Sequence, residues 1–254
     1  MLSDPFFHRE VFHLLFLERL LKASDPALFA LKGGVNLRFY FKSPRYSEDM
    51  DLDALGGAVA TLRKNVYKIL EDPSFRRTLS TYGLVDLKVS DPAKAKQTET
   101  TQRFKLKLVN TAGEEFPTKV EFSRRRGSAA GTELETVDPE VARRYQRLSF
   151  SCRHYTGATA ILQKVEALVG RAQPQSRDVF DLCILLRGGY MDKYARAALE
   201  QGVLVRKAKE RIASFDYADY EGQVVEYLES SAKKEFSGKV RWEALKQELM
   251  KALP

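Results

Sequence analysis

The stretch that decides the fold is LKGGVNLRFYFKSPRYSEDMDLDAL, residues 31–55. It opens near a glycine pair, Gly33-Gly34, and closes on three acids at alternate positions, Asp49, Asp51 and Asp53. On a β-strand, side chains two apart share a face. A strand over 46–54 would point the three carboxylates one way, with Arg45 and Ser47 on the same face, and bury Met50 and Leu52. Like charges on one strand face repel unless something cationic lies among them. Neighbouring carboxylates suit magnesium, a hard ion that takes oxygen ligands and keeps positions for water and phosphate. An exposed acidic face would give the same pattern. The glycines also have two readings. Inside a helix from Pro26 to Phe41, each costs about 1 kcal/mol relative to alanine. Tight helix packing would account for them, and so would close approach of a triphosphate to backbone N–H groups.

Outward from this stretch, the first half reads as mixed. A helix is expected over 5–22, with Val11, Leu14, Leu17 and Leu21 as the apolar stripe of an amphipathic helix. Another is expected over 59–70. GLVDLKVS (83–90), QRFKLKLVN (102–110) and PTKVEFS (117–123) alternate apolar with polar residues, the period of half-buried strands. Asp-Pro pairs at 4–5, 25–26, 91–92 and 138–139 each set a capping side chain before a proline suited to the first helical position.

Beyond Pro139 the spacing turns helical. TGATAILQKVEALVG places Ala158, Ile161, Leu162, Val165, Leu168 and Val169 on one face. SRDVFDLCILLRGG ends on a glycine pair that suits a C-cap. GVLVRKAKERIASF, YEGQVVEYLES and VRWEALKQELMKAL read as helices too. Strands followed by helices predict an α+β fold. The division falls into residues 1–135 and a helical domain over 136–254, with the seam in RGSAAGTELETVD, which is poor in large apolar residues.

Composition narrows the class. The chain has 254 residues, is 44% hydrophobic and 30% charged, and carries a formal net charge of +8. Those values are ordinary for a globular protein, and the charge favours polyanionic partners. The opening MLSDPFFHRE does not read as a signal peptide, and VFHLLFLERLL is too short and too charged to cross a membrane. The two cysteines, Cys152 and Cys183, lack a metal-site spacing, so a reducing cytoplasm is the expected setting. No phosphate-binding loop of the Gly-Lys-Ser/Thr type appears. His8, His13 and His154 are scattered and make no triad or zinc set.

The segment LKGGVNLRFYFKSPRYSEDMDLD resembles the opening motif of the AbiEii-type nucleotidyltransferases, toxins of type IV toxin–antitoxin systems within the DNA polymerase β-like superfamily. The matching residues are Lys32-Gly33-Gly34 and Arg45-Tyr46-Ser47-Glu48-Asp49-Met50-Asp51. The resemblance implies a polymerase β-like core with a mixed sheet, and a pair of magnesium ions held by Asp49 and Asp51. It places Lys32, Gly33, Gly34 and Ser47 on the nucleotide side. A third acid on a neighbouring strand is implied, with Glu121 the first candidate and Asp86 the alternative. Glu121 departs from the aspartate most relatives have there. Asp53 is an extra acid.

A later segment, QKVEALVGRAQPQSRDVFDL, resembles the family's second motif through Lys164, Ala167, Leu168, Arg171, Arg177, Asp178, Asp181 and Leu182. It implies a nucleotide-contacting Lys164, with Arg177 beside it, and an acid near the active site at Asp178. Lys164 and Arg171 are expected on one helix edge, and Arg177 and Asp181 as a pair along a helix. The family implies transfer of a nucleotide from a nucleoside triphosphate to RNA, at the 3′ end of transfer RNA, with a cognate antitoxin as a further partner. Arg124, Arg125 and Arg126 would guide that acceptor by its phosphates. The alternatives are transfer to a protein or small-molecule hydroxyl, and an inactive module that binds nucleotide or RNA.

Overall fold

The structure, a computed structural model, describes residues 4–91, 95–125, 128–200 and 202–254. The chain forms two compact units, Met1–Tyr40 with Ser47–His154, and Phe41–Tyr46 with Tyr155–Pro254. The sequence put its seam at 135/136; the units divide after His154, because two late strands complete the first unit's sheet.

In the first unit, Asp4 accepts a hydrogen bond from the Phe6 N–H at 2.9 Å and starts α1 (Pro5–Ala23). Every residue from His8 to Leu17 is buried, so this helix is enclosed rather than amphipathic over its middle. Asp25 caps only a single 3-10 turn, Pro26–Leu28. The chain then runs as β1 (Phe29–Lys32), and α2 (Gly33–Tyr40) begins at the first glycine. This corrects the continuous helix expected over 26–41. Phe-Ala-Leu-Lys is a short apolar run that periodicity cannot tell from buried helix, and pairing with strands on both sides decides it. The glycine pair therefore opens a helix instead of interrupting one.

β2 (Met50–Ala54) is shorter than the 46–54 expected, and Met50 and Leu52 are fully buried. α3 (Val59–Glu71) follows as expected. α4 (Pro73–Ser80) was not expected, although Asp72-Pro73 repeats the capping signature and Asp72 accepts from the Ser74 N–H at 2.7 Å. β3 (Leu84–Val89), β4 (Thr101–Asn110) and β5 (Glu115–Ser123) are the three alternating segments. Pro92, of the Asp91-Pro92 pair, lies outside the described residues. β6 (Thr132–Thr136), α5 (Pro139–Arg144) and β7 (Ser151–Tyr155) close the unit. Both strands were missed, because their polar and charged residues hide the alternation.

The sheet order is β3-β4-β5-β2-β1-β7-β6. β1 pairs antiparallel with β2 and parallel with β7, while β2 pairs parallel with β5, so the sheet is mixed. The α+β class holds: among the described residues, five α-helices lie before and among the strands, and seven follow the last of them.

The second unit is helical beyond β7: α6 (Gly157–Gly170), α7 (Ser176–Arg187), α8 (Lys193–Glu200), α9 (Val203–Ser214), α10 (Tyr217–Gln223), α11 (Ser230–Phe236) and α12 (Lys239–Ala252). Ile161, Val165 and Leu168 of the expected stripe are buried, and the rings of Tyr220 and Trp242 stack at 4.2 Å in the core. YEGQVVEYLES is helical only in part, since α10 ends at Gln223 and a 3-10 turn follows at Val225–Tyr227. Among the described residues no helix is long and apolar enough to cross a membrane.

Candidate active site

Strand register lines up the charges. The parallel pairing of β2 with β5 sets Asp51 beside Glu121, and the antiparallel pairing with β1 sets Lys32 opposite Asp51. Cross-strand partners stand on one face, so Lys32, Asp51 and Glu121 form a row over three adjacent strands. Asp49 immediately precedes β2. Its Oδ2 accepts a hydrogen bond from the Lys119 Nζ at 2.6 Å. Glu121 Oε2 accepts from the Arg103 Nε at 2.6 Å. Lys32 donates to Asp53, which is 1% exposed, so the extra acid is the buried ion-pair partner of the motif lysine. Asp86 sits on β3, separated from β2 by β4 and β5, and pairs with Arg76 at 3.1 Å. Glu121, not Asp86, is the acid beside Asp51.

Asp51 differs from its neighbours. It keeps some accessible surface, yet its carboxylate accepts no hydrogen bond among the described residues. Burial pushes its carboxyl above the usual aspartate range. Asp49 and Glu121 push the same way, against Lys119 and Lys32. The donor set is all oxygen and anionic, which fits magnesium. Asp49, Asp51 and Glu121 do not gather one oxygen each within 4.8 Å of one another; Lys119 and Arg103 hold the outer two. Sequence reasoning missed both cations. The alternation of β4 and β5 carried them, but only the register shows which acid each one meets.

The glycine pair has a local cause. Gly33 has φ +72°, and a Cβ placed on it would lie 3.1 Å from Asp51 Oδ2. A side chain there would be strained by the left-handed backbone and would press on the carboxylate. Ser47, expected on the phosphate side, donates to the Asp49 backbone carbonyl at 2.9 Å and shapes the approach to β2. A cavity of about 320 Å³ adjoins Asp49 and is lined by Lys105, Lys107 and Lys119, with Ser90 and Thr118. Lys105 has no ion-pair partner among the described residues.

Arg124 was expected to meet RNA. Its guanidinium donates to Gln102 Oε1 at 3.1 Å and to the carbonyl of Gly57 at 2.7 Å, tying a loop to β4. Arg125 is exposed. Arg126 lies outside the described residues.

The second motif builds a separate charge network within the second unit. Asp178 and Asp181 on α7 are both fully buried. Lys164 donates to Asp178 at 2.8 Å and also to Asp181, and Arg171 donates to Asp178 at 2.6 Å. Lys164 and Arg171 thus meet on one carboxylate, although Arg171 is the extended residue just past the end of α6 and not on the helix edge expected. Arg45 corrects the expectation that it shares the acidic strand face: it belongs to this unit, where it grips Asp181 with both Nε and Nη2, at 3.1 and 3.0 Å. Burial pushes Asp181 upward, but Arg45 and Lys164 outweigh it and hold the carboxyl below its usual range. The expected Arg177–Asp181 pair does not form, since the Arg177 Nε donates to Gln175 at 2.8 Å. Nothing in the spacing pointed to Arg45, 136 residues from its partner.

Fold and relatives agree on the class: the chain is a nucleotidyltransferase. MenT4, a nucleotidyltransferase toxin of Mycobacterium tuberculosis H37Rv, superposes with a TM-score of 0.64 at 18% identity, over 96% of this chain and 82% of that one. JHP933 from Helicobacter pylori gives 0.61 at 17% identity, over 100% and 95%. No curated protein matches in sequence. The family is narrower than the class. Residues 15–254 match the model described as "Nucleotidyl transferase AbiEii toxin, Type IV TA system", and the chain belongs to that family. Membership implies a nucleoside triphosphate as substrate and an antitoxin as partner of the toxin.

Proposed function

We propose that the chain is a magnesium-dependent nucleotidyltransferase that moves a nucleoside monophosphate from a triphosphate to an RNA acceptor, at the 3′ end of transfer RNA, and so arrests growth. One observation carries the metal reading. Asp51 is a nearly enclosed carboxylate with no hydrogen-bond donor among the described residues, set in register beside Glu121 and two residues from Asp49. Asp49, Asp51 and Glu121 would hold the ions. Bound magnesium would withdraw charge from the triphosphate and acidify the attacking hydroxyl.

The chain's own residues do the rest. Lys119 and Arg103 hold Asp49 and Glu121 in place before the ions arrive. Lys32 is fixed by Asp53, so its ammonium stands opposite Asp51 on the nucleotide side. Gly33 and Gly34 offer backbone N–H groups at the start of α2, where the helix dipole favours an anion. Lys164, Arg177 and Asp178 enter on the family motif. Asp178 and Asp181 hold the Lys164 ammonium in place, an arrangement suited to neutralising phosphate.

For the acceptor, the cavity beside Asp49 supports a polyanion, through Lys105, Lys107 and Lys119. Arg125 is a further exposed cation, and transfer RNA as the particular acceptor rests on the family resemblance. The test is incubation with labelled nucleoside triphosphates, magnesium and total transfer RNA. Label on RNA, abolished by Asp49→Ala or Asp51→Ala in folded protein, supports the reading. Label only on protein or a small molecule moves the acceptor, and nucleotide binding without transfer removes the activity. Growth arrest on expression, relieved by the neighbouring gene, tests the toxin role.

A further inference from the structure

A second cation site stands apart from the acids of β2. Glu133 and Glu135 lie on one face of β6, the strand at the sheet's edge, and His154 lies on its neighbour β7. One carboxylate oxygen from each glutamate and the imidazole Nε2 all fall within 4.8 Å of one another. Nε2 is 3.2 Å from Glu135 Oε2 and 3.8 Å from Glu133 Oε1. Two ligands bound 2.0–2.2 Å from a tetrahedral zinc stand roughly 3.3–3.5 Å apart, and the two observed distances bracket that separation.

The ring is held for this task from behind. Nδ1 lies 2.9 Å from Asn36 Oδ1. An amide oxygen only accepts, so Nδ1 carries a hydrogen, and Nε2 is the ring atom turned to the glutamates. A ligand histidine is ordinarily fixed in this way, by an acceptor on its other nitrogen. The ring of Tyr40 stacks on the imidazole at 3.6 Å and 5°, which fixes its plane. His154 is fully buried, while both glutamates reach solvent, at 48% and 59% side-chain exposure. The site is therefore anchored inside and open outside.

We propose that Glu133, Glu135 and His154 bind one divalent transition ion of the zinc type, with water completing the coordination. One imidazole and two carboxylates suit zinc, cobalt or manganese, whereas magnesium takes oxygen donors and discriminates against the ring nitrogen. Bound there, the ion ties the edge strand β6 to β7. Through Asn36 it also supports α2, the helix that Gly33 opens. The histidine that looked solitary in sequence thus gains partners from the strand beside it.

The test is cobalt and zinc binding to the full chain, with magnesium in excess to fill the oxygen-ligand site. Cobalt is followed by its visible absorption, zinc by metal analysis after dialysis, and both by thermal midpoint. The expected result is one ion per chain, a raised midpoint, and affinity at least about tenfold weaker in Glu133→Gln/Glu135→Gln. Asp49→Asn/Asp51→Asn should bind cobalt as the parent does. Both glutamates are exposed, so the double variant should fold, and His154→Gln supplies a second removal. Absence of binding to the parent protein overturns the proposal, as does binding that the glutamate pair does not affect. Loss of the cobalt signal in Asp49→Asn/Asp51→Asn, with retention in the glutamate variant, assigns the ion elsewhere and also overturns it.

Discussion

Replacing Asp51 with asparagine separates function from stability in opposite directions. The two side chains have the same shape, so packing against Gly33 is preserved while the charge is removed. In the metal-free protein that charge is unfavourable, chiefly through burial, with Asp49 and Glu121 adding repulsion and Lys119 and Lys32 opposing it. Carboxylates on paired strands lie about 5 Å apart, and at an effective dielectric near 20 each such interaction is about 3 kcal/mol. Two repulsions and two attractions of that size largely cancel. The burial cost remains, on the order of several kcal/mol per fully buried ion after relaxation and water penetration, and less here because Asp51 keeps some accessible surface.

The sign follows from linkage. An acid whose folded pKa is raised contributes stability below its unfolded pKa and loses it as pH rises through the folded value. At neutral pH the native state therefore bears the cost, and Asp51→Asn relieves it. For a chain of this size the melting midpoint should rise by about 2–4 °C per kcal/mol in chelator-treated buffer. Added magnesium should stabilise the parent protein and leave the variant unmoved. Transfer should meanwhile fall by about a thousandfold or more, because ion-mediated charge stabilisation worth several kcal/mol is lost. Differential scanning fluorimetry with and without magnesium, beside a radiolabel transfer assay, reads all three. A variant that melts lower than the parent without metal, or that still transfers nucleotide, would refute the account of Asp51.

Arg45→Ala should destabilise the chain by about 3 kcal/mol in urea unfolding, since Asp181 is fully buried and, among the described residues, would keep only Lys164 as a cation; a loss as small as about 1 kcal/mol would make the pair no better than a surface bridge. Gly33→Ala should cost about 1–2 kcal/mol from the left-handed backbone and should lower transfer as well, because the new Cβ presses on Asp51; unchanged stability and rate would show that this backbone relaxes freely. His13 is fully enclosed, and burial drops its imidazole to about 3. The unfolded chain takes up that proton below about 6.5 while the native chain does not, so stability should fall by about 1.4 kcal/mol per pH unit between 6 and 4. Urea midpoints at pH 7 and 5 should show His13→Gln losing less than the parent, and equal losses would place the acid sensitivity elsewhere.

The alternating strands were legible because period-two patterning needs no tertiary partner to be seen, as Phe104, Leu106 and Leu108 show against Arg103, Lys105 and Lys107. The helix caps were legible for the same local reason, and Asp72-Pro73 could have been read with the rest. β1 was not, because four apolar-rich residues fit a buried strand as well as a buried helix turn. β6 and β7 carry charges toward an edge of the sheet, so their polar residues imitate a loop. At the site, Asp49, Asp51 and the glycine pair showed in the sequence because they lie close together in it. The partners Lys119, Arg103 and Arg45 did not, because strand register and the return of residues 41–46 to the second unit bring them in from a distance.

Those partners answer the puzzle set by acids at alternate positions. Asp53 is enclosed and bonded to Lys32, so it serves the packing of β1 on β2 and carries the motif lysine into place. Asp49 faces Lys119 across β5, where both side chains remain 30% exposed and free to part. Glu121 is matched by Arg103 in the same manner. A fold that merely tolerated a run of acids would have given each one a cation, as it did for these three. Asp51, between them and against the backbone of Gly33, has no donor among the described residues. A carboxylate held in that state at a cost in stability implies a ligand that repays the cost on binding, and the hard oxygen set around it selects a small divalent cation.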